Sequence, residues 1–328
     1  MMEMGRLHQP VMLPQIIDAL SPSDGDHIID ATFGNGGYSR AILNEADCFV
    51  AGIDKDPDAV LRANIQMQEF GNKFKILEGS FSTIEALSAN TRFSSPNAIV
   101  FDLGVCSTQL DQAERGFSFK SDGPLDMRMS KEGETAADVV NSMSEKELAD
   151  IIYAYGDERA SRRIARAINA KREETPFVRT SQLAQIIRSV LPRAKKGQSD
   201  PATRTFQALR IYVNNEINEL CEALLASERL LGEGGILAVV SFHSLEDRIV
   251  KRFFSQRAGF NAQPSRHQPM QAQIQPSFKL LPRKPILPEE SEVAENPRSR
   301  SAKLRVGVRT SAAAHSNQDA LKMMMGRD

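Results

Sequence analysis

From residue 14 onward, short apolar runs alternate with longer stretches whose apolar positions recur at helical spacing. That alternation is the signature of βαβ units, in which helices cover a parallel sheet. Before residue 105, the runs at 27–31, 49–54, 74–78 and 97–103 are rich in β-branched or aromatic residues and predict strands, most of them ending in an acidic residue. A further strand is predicted at 235–241, after the turn Gly232-Glu233-Gly234-Gly235. Ser244, with Asp247 three residues on, predicts a capping box that starts a helix over 245–254. Positions 303–309 alternate strictly and place Leu304, Val306 and Val308 on one face, as in a late edge strand.

Between the fourth and fifth strands about 130 residues carry no strand pattern, although a crossover in such a sheet needs only one helix and short loops. An inserted helical domain is the economical account. Ser144 opens one helical run, and the next, 158–173, sets Ala160, Ile164, Ala167 and Ile168 on one face with Arg159, Arg162, Arg163 and Arg166 elsewhere. Positions 180–191 and 206–225 predict two more helices. The expected organisation is a sheet domain in two parts, 1–110 and 213–310, a helical insertion at 111–212 and a flexible tail at 311–328. The Gln, Pro and Ser content of 256–297 predicts a poorly ordered segment.

Composition adds limits. With 328 residues, 41% hydrophobic and 25% charged, the chain is an ordinary globular protein, not a collagen-like, disordered or membrane-spanning one. Cys48, Cys106 and Cys221 are far apart and odd in number, which suits a reducing cytoplasm and suggests neither a disulfide framework nor a zinc site. No HExxH or paired His cluster exists, so no catalytic metal is expected. The first twenty residues lack a basic start followed by an apolar run, so neither secretion nor membrane insertion is expected. The net charge of −1 conceals a pattern: 156–210 carries +8 and 248–309 carries +9, against −18 elsewhere. Two such stretches offer a footprint for phosphate, or else are solvated helices and a basic tail.

The first predicted strand runs into Asp30-Ala31-Thr32-Phe33-Gly34-Asn35-Gly36-Gly37, a glycine-rich turn before a helix beginning near Tyr38. Glycines there permit positive φ and close approach of a ligand to free N–H groups. The spacing is not the dinucleotide fingerprint, because Ser39 stands where the third glycine belongs. Asp54 ends the second strand, where a carboxylate can accept from two ribose hydroxyls. Phe81, after the third strand, offers a wall for an adenine ring, and Asp102 ends the fourth. Each alone could be structural; together, at successive carboxyl ends of one sheet, they converge on a crevice. A ribose acceptor without a pyrophosphate cradle suits S-adenosylmethionine, which points to a Rossmann-like class I methyltransferase. A dinucleotide-dependent oxidoreductase and a non-catalytic RNA-binding assembly protein are the rival readings.

The chain also resembles, over nearly its whole length, the bacterial 16S rRNA cytosine-N4 methyltransferases of the MraW or RsmH type. The strings that carry the resemblance are HQPVML (8–13), DATFGNGG (30–37), DLGVCSTQLD (102–111), ERGFSF (114–119), DGPLDMRM (122–129), ATRTFQALRI (202–211) and SFHSLEDRIVK (241–251). The resemblance implies that Asn35, Gly36, Gly37, Asp54, Phe81, Asp102 and Gln109 contact S-adenosylmethionine. It implies as well that the insertion grips 16S rRNA of the small ribosomal subunit, with no membrane and no protein partner predicted. Cys106 departs from the pattern, which has serine there.

For the chemistry, Asp102 is the candidate catalytic group, because an acceptor for an N4 hydrogen localises a lone pair that is otherwise delocalised into the cytosine ring. The [DNS]-P-P-[YFW] string of many amine methyltransferases is absent at Asp102-Leu103-Gly104-Val105, so amine specificity rests on the resemblance. Phe117 and Phe119 could stack on a flipped base or pack in a core. Arg128, Arg204 and Arg210 could bind phosphate or form salt bridges. His243 could touch the target base or cap the following turn.

Overall fold

A computed structural model describes residues 10–193, 199–260 and 275–315. These residues form two compact units, one from Met1–Gly104 with Ile217–Asp328 and one from Val105–Glu216. The expected insertion was bounded at 111 and 212. Of the expected flexible tail, 316–328 lies outside the described residues, as does 261–274 of the segment expected to be poorly ordered.

Along the chain, the first unit opens with α1 (Leu13–Leu20), β1 (His27–Asp30), α2 (Gly37–Glu45), β2 (Phe49–Asp54), α3 (Pro57–Gln66), β3 (Phe74–Glu78), α4 (Ile84–Ser88) and β4 (Ala98–Asp102). The second unit holds α5 (Ser107–Asp111), α6 (Ala136–Ser142), α7 (Glu145–Gly156), α8 (Ser161–Glu174), α9 (Thr180–Val190) and α10 (Thr203–Val213). The first unit then resumes with α11 (Glu216–Leu230), β5 (Ile236–Ser241), α12 (Ser244–Arg257), β6 (Phe278–Leu280), α13 (Glu290–Glu295) and β7 (Lys303–Arg309). Among the described residues no helix is long and apolar enough to cross a membrane.

The sheet runs in the order β3-β2-β1-β4-β5-β7-β6. The first five of these strands are parallel, and β7 runs antiparallel to both β5 and β6. The connections reverse direction between β1 and β4, which opens a crevice at their carboxyl ends. Ile28, Val50, Val100, Val240 and Leu304 bury one sheet face against Ile16 and Leu20 of α1 and Ile42 of α2. The parallel strands read as nearly continuous apolar runs because helices cover them.

Four expectations need correction. The strand Lys303–Arg309 is interior, since β6 lies outside it. Phe278 holds that three-residue edge strand in place, its ring centroid 5.8 Å from Phe253 and 5.6 Å from Phe254 of α12. The segment 256–297 therefore contains ordered structure, and within α13 Glu292 accepts the Met12 N–H at 2.7 Å. The helix expected over 206–225 is two helices: Asn215 turns into the left-handed region at φ +52°, a break that Asn tolerates. Asn214 fixes the break by donating to Met127 O at 2.7 Å and accepting from Met129 N–H at 2.8 Å. Finally, α12 is capped by His243 and Glu246, not Ser244 and Asp247. Asp247 instead reaches Lys303 and Arg305 of β7, each at 2.8 Å.

In the second unit, Leu148 and Ile152 of α7, Ile164 and Ile168 of α8, Leu183 and Ile187 of α9 and Leu209 of α10 share one core. Ser144 and Glu147 close a capping box on α7, as do Thr135 and Asp138 on α6. Arg162, Arg163 and Arg166 project from the exposed side of α8.

Candidate active site

The turn after β1 is tied to the neighbouring strand ends by direct bonds. Gly34 N–H donates to Asp54 Oδ2 at 2.8 Å, Phe33 N–H to Ile53 O at 2.9 Å, and Ala31 N–H to Val100 O at 2.9 Å. Thr32 Oγ1 accepts the Asp102 N–H at 2.6 Å, and Leu103 N–H reaches Val240 O at 3.0 Å. Asp30, Asp54 and Asp102 are thereby gathered at the carboxyl ends of β1, β2 and β4. Asn35 is half-buried within the same turn.

The glycines serve the chain's own packing first. Gly36 caps α2 at φ +74°, and a Cβ there would lie 2.6 Å from Cζ of Phe33. At Gly37 a Cβ would lie 2.2 Å from Cγ of Pro10. The expected close approach is thus first that of Phe33 and Pro10. Phe81, half-buried after β3, stands edge-on to Phe101 of β4 with centroids 5.8 Å apart.

Sequence reasoning missed two participants. Ser39 of α2 donates to Asp30 Oδ2 at 2.7 Å, inside a region where both residues are buried. Glu246 is buried and accepts from the N–H groups of Phe242 at 2.8 Å and His243 at 3.2 Å. The E in SFHSLEDR was visible, but a carboxylate at the third helical position reads equally as a cap.

Electrostatically the site is a crowd of carboxylates. Burial pushes Asp30 up to about 6 against the bonds from Ser39 and Thr32. Asp54 is raised by burial even though the N–H groups of Asp56 and Gly34 donate to it. Asp102 is pushed up to about 8, by burial first and then by the charges of Asp30 and Glu246. Its Oδ1 is sealed from solvent and accepts no hydrogen bond. His243 caps α12, its Nδ1 accepting Glu246 N–H at 3.3 Å. Its Nε2 is likewise buried without a hydrogen-bond partner, 2.9 Å from Glu246 Oε1 but outside bonding alignment. The cap is therefore realised, while the second ring nitrogen stands beside the Glu246 carboxylate.

The remaining candidates belong to the second unit. Gln109 is buried on α5, where its Oε1 accepts the Cys106 N–H at 3.1 Å. Cys106 caps that helix. Arg128 is bound by Asp126 at 2.7 Å, and Arg210 by Glu216 at 2.7 and 2.8 Å. Arg204 is more open, 60% exposed, with Glu158 3.9 Å away. Phe117 lies in the core of the unit, and Phe119 packs edge-on to Phe206 at 4.9 Å.

Comparison with known proteins bears on the same chemistry. A profile of the MraW methylase family matches residues 5–310. Ribosomal RNA small subunit methyltransferase H of Rhodospirillum rubrum is 53% identical over 308 residues, covering 92% of this chain and 94% of that protein. The protein of the same name from Parvibaculum lavamentivorans is 50% identical over 307 residues, covering 94% and 91%. Among solved structures, an rRNA methylase from Streptococcus thermophilus covers 90% of this chain at 10% identity with a TM-score of 0.41, a likeness too distant to carry argument.

Proposed function

The chain belongs to the MraW methylase family, and on that premise we propose that it transfers a methyl group from S-adenosylmethionine to the N4 amine of a cytidine in 16S rRNA of the small ribosomal subunit. At the level its relatives carry, it is an S-adenosylmethionine-dependent methyltransferase of small-subunit ribosomal RNA; neither the oxidoreductase nor the non-catalytic reading finds support among them. The reading implies a cytoplasmic enzyme.

The observation that carries the site assignment is Asp102: a carboxyl whose Oδ1 is buried without a partner, surrounded by other carboxylates and by no cation among the described residues. A cationic ligand fits such a place, because a positive charge favours the ionised forms that burial opposes. Asp54 supports a ribose-binding role, and Asn35, Gly36, Gly37, Phe81 and Gln109 complete the proposed cofactor contacts. When bound, S-adenosylmethionine supplies an electrophilic methyl group on a sulfonium. The protein must then hold the N4 nitrogen in line, which is mainly a matter of positioning. Asp102 Oδ1 accepts one N4 hydrogen and localises the lone pair. Once a cationic ligand has restored its ionised form, the Asp102 carboxylate is also placed to take the proton that N4 sheds. His243 Nε2 and Glu246 face the same problem from the start of α12, where His243 is the proposed contact to the base. Arg128 and Arg204 are the proposed phosphate contacts of the helical unit; Arg204 is the more open of the two.

Nucleoside mass spectrometry of 16S rRNA from cells lacking this protein, before and after complementation, tests the reading. N4-methylcytidine should disappear and return. Its persistence in the deletion strain would sink the assignment.

A further inference from the structure

Away from the strand ends, the first unit contains a cleft of about 190 Å³ whose lining includes Lys251, Ser255, Phe260, Leu280, Arg283 and Arg305. We propose that this cleft holds an unpaired nucleotide of the RNA strand that carries the target base, with the base against Phe260 and Arg283 and a phosphate on Lys251. The proposal rests on the reading of the chain as an RNA methyltransferase and extends it to a second place where the strand is held.

The first support is chemical. The Arg283 guanidinium lies 3.7 Å from the centroid of the Phe260 ring, and that ring is 40% exposed. An open aromatic face with an arginine over it is the arrangement on which single-stranded bases stack, because every base has a π-face and a guanidinium is planar. The second support is the disposition of charge. Arg305 is committed to Asp247 at 2.8 Å. Lys251 and Arg283 have no acidic partner among the described residues, and no carboxylate lines the cleft. Cations left uncompensated beside an aromatic ring complement a phosphodiester. An apolar helix would leave both of them unpaired.

Placement is the third support. His243, Asp247, Lys251 and Ser255 follow one another at four-residue intervals along α12, one stripe of that helix. At about 1.5 Å per residue, Lys251 stands about 12 Å from the His243 cap. That separation equals about three or four stacked nucleotide steps of about 3.4 Å. A strand with its target base at the β4 and β5 ends can therefore reach the cleft along one helix.

The test uses the full-length protein with Phe260→Ala, Arg283→Ala and the double change Lys251→Ala/Arg283→Ala. Binding is read with a labelled, unstructured RNA oligonucleotide across a salt series, and methylation with small-subunit particles at single turnover. Phe260→Ala and Arg283→Ala should each weaken RNA affinity about tenfold, with the rate at saturating RNA unchanged. The double change should lower the log–log salt slope by about 0.7 for each phosphate that is no longer neutralised. Phe260→Tyr should restore affinity. Cofactor affinity by calorimetry, unchanged in every variant, reports that the fold is intact. Should a variant not fold, 4-thiouridine crosslinking to the unaltered protein gives the answer, and crosslinks should fall on peptides holding Phe260 or Arg283. Parental affinity and salt slope in the variants, or crosslinks that avoid these peptides, overturn the cleft. So does a loss confined to assembled particles, which would make the occupant a ribosomal protein. Failure of the unaltered protein to methylate small-subunit RNA would instead overturn the functional reading and is seen separately.

Discussion

In the helical unit, displaced carboxylates sit below their ordinary values because a neighbour donates to each. Arg179 brings Asp122 down to about 2, and Thr135, Ser144 and Lys171 lower Asp138, Glu147 and Glu174. Burial acts upward on Asp126 and Asp200, but Arg128 and Arg188 outweigh it. At the strand ends of the sheet unit the opposite holds: burial raises Asp30, Asp54 and Asp102. The sheet is not the cause, since Asp247 in the same unit is half-buried yet lowered by Lys303 and Arg305. What distinguishes the three raised groups is that no cation among the described residues balances their burial; Arg62 acts on Asp54, but as the smallest influence there. Uncompensated buried acids are costly and concentrate where a ligand completes the charge balance. The contrast separates carboxylates that hold the fold together from those we propose for chemistry.

The sharpest way to break that contrast is Asp102→Asn, which keeps the size and one acceptor oxygen. Single-turnover methylation at saturating cofactor should fall by about 10²-fold or more while RNA binding is retained. A near-parental rate would leave Asp102 as a cofactor contact only. The same variant has a stability signature. A carboxyl raised in the folded state contributes stability that is fully present below its ordinary value, near 4, and is lost as pH rises through the folded value. For Asp102 that loss is complete above about 8. The variant should therefore match the parent in Tm near pH of about 4 and exceed it increasingly as pH rises toward about 8.

Asp54→Ala should raise the dissociation constant for S-adenosylmethionine about ten- to a hundredfold in calorimetry, the effect of losing charge-assisted ribose bonds. Because Asp54 also receives Gly34 and Asp56 N–H, Asp54→Asn serves as the control for the turn. Unchanged affinity in both variants would remove Asp54 from the cofactor contacts. In the helical unit, charge reversal of Arg162, Arg163 and Arg166 should weaken RNA binding and lower the log–log salt slope by about 0.7–0.9 for each phosphate that is no longer neutralised. Arg162 and Arg166 are 74% and 78% exposed, with Asp150 and Glu145 each 3.7 Å away, so their removal disturbs little internal pairing. An unaltered slope would make that face a solvated surface.

The strand ends could be located in the sequence because apolar runs closing on an acid fix both a strand and its terminus; β2 and β3 have the expected bounds, as does β7, which strict alternation predicts. The electrostatic state of those ends could not be read there. Asp102 and Asp247 look alike in the chain, and only the strand pairing decides that Lys303 and Arg305 reach one while no described cation of the sheet unit reaches the other. The glycine turn was legible as a turn, but its tight contacts with Phe33 and Pro10 depend on a ring and a proline whose approach the glycine spacing does not reveal. The strand β6 escaped because three residues give no periodicity, and what holds it is a cluster of phenylalanines assembled by α12. Glu246 escaped because its partners are backbone N–H groups of the turn it closes, which side-chain spacing does not reveal.

The smallest expected effect belongs to Arg179→Ala, which removes the partner of Asp122 across 2.5 Å on the exposed face of the helical unit. Exposed pairs contribute little, because solvent screens the charges and two long side chains lose freedom. The value of this variant lies in the sign of its pH dependence. Asp122 is lowered in the folded state, to about 2, so its contribution is present above the ordinary carboxylate value and disappears as pH falls through the folded one. The variant should show a slightly lower Tm than the parent near pH of about 6, and the two curves should merge as pH drops toward about 2. Asp102→Asn departs from the parent in the other direction and at the other end of the scale. Opposite slopes in the two thermal series would establish that the units treat their acids differently; parallel slopes would mean that burial at the strand ends carries no unbalanced charge.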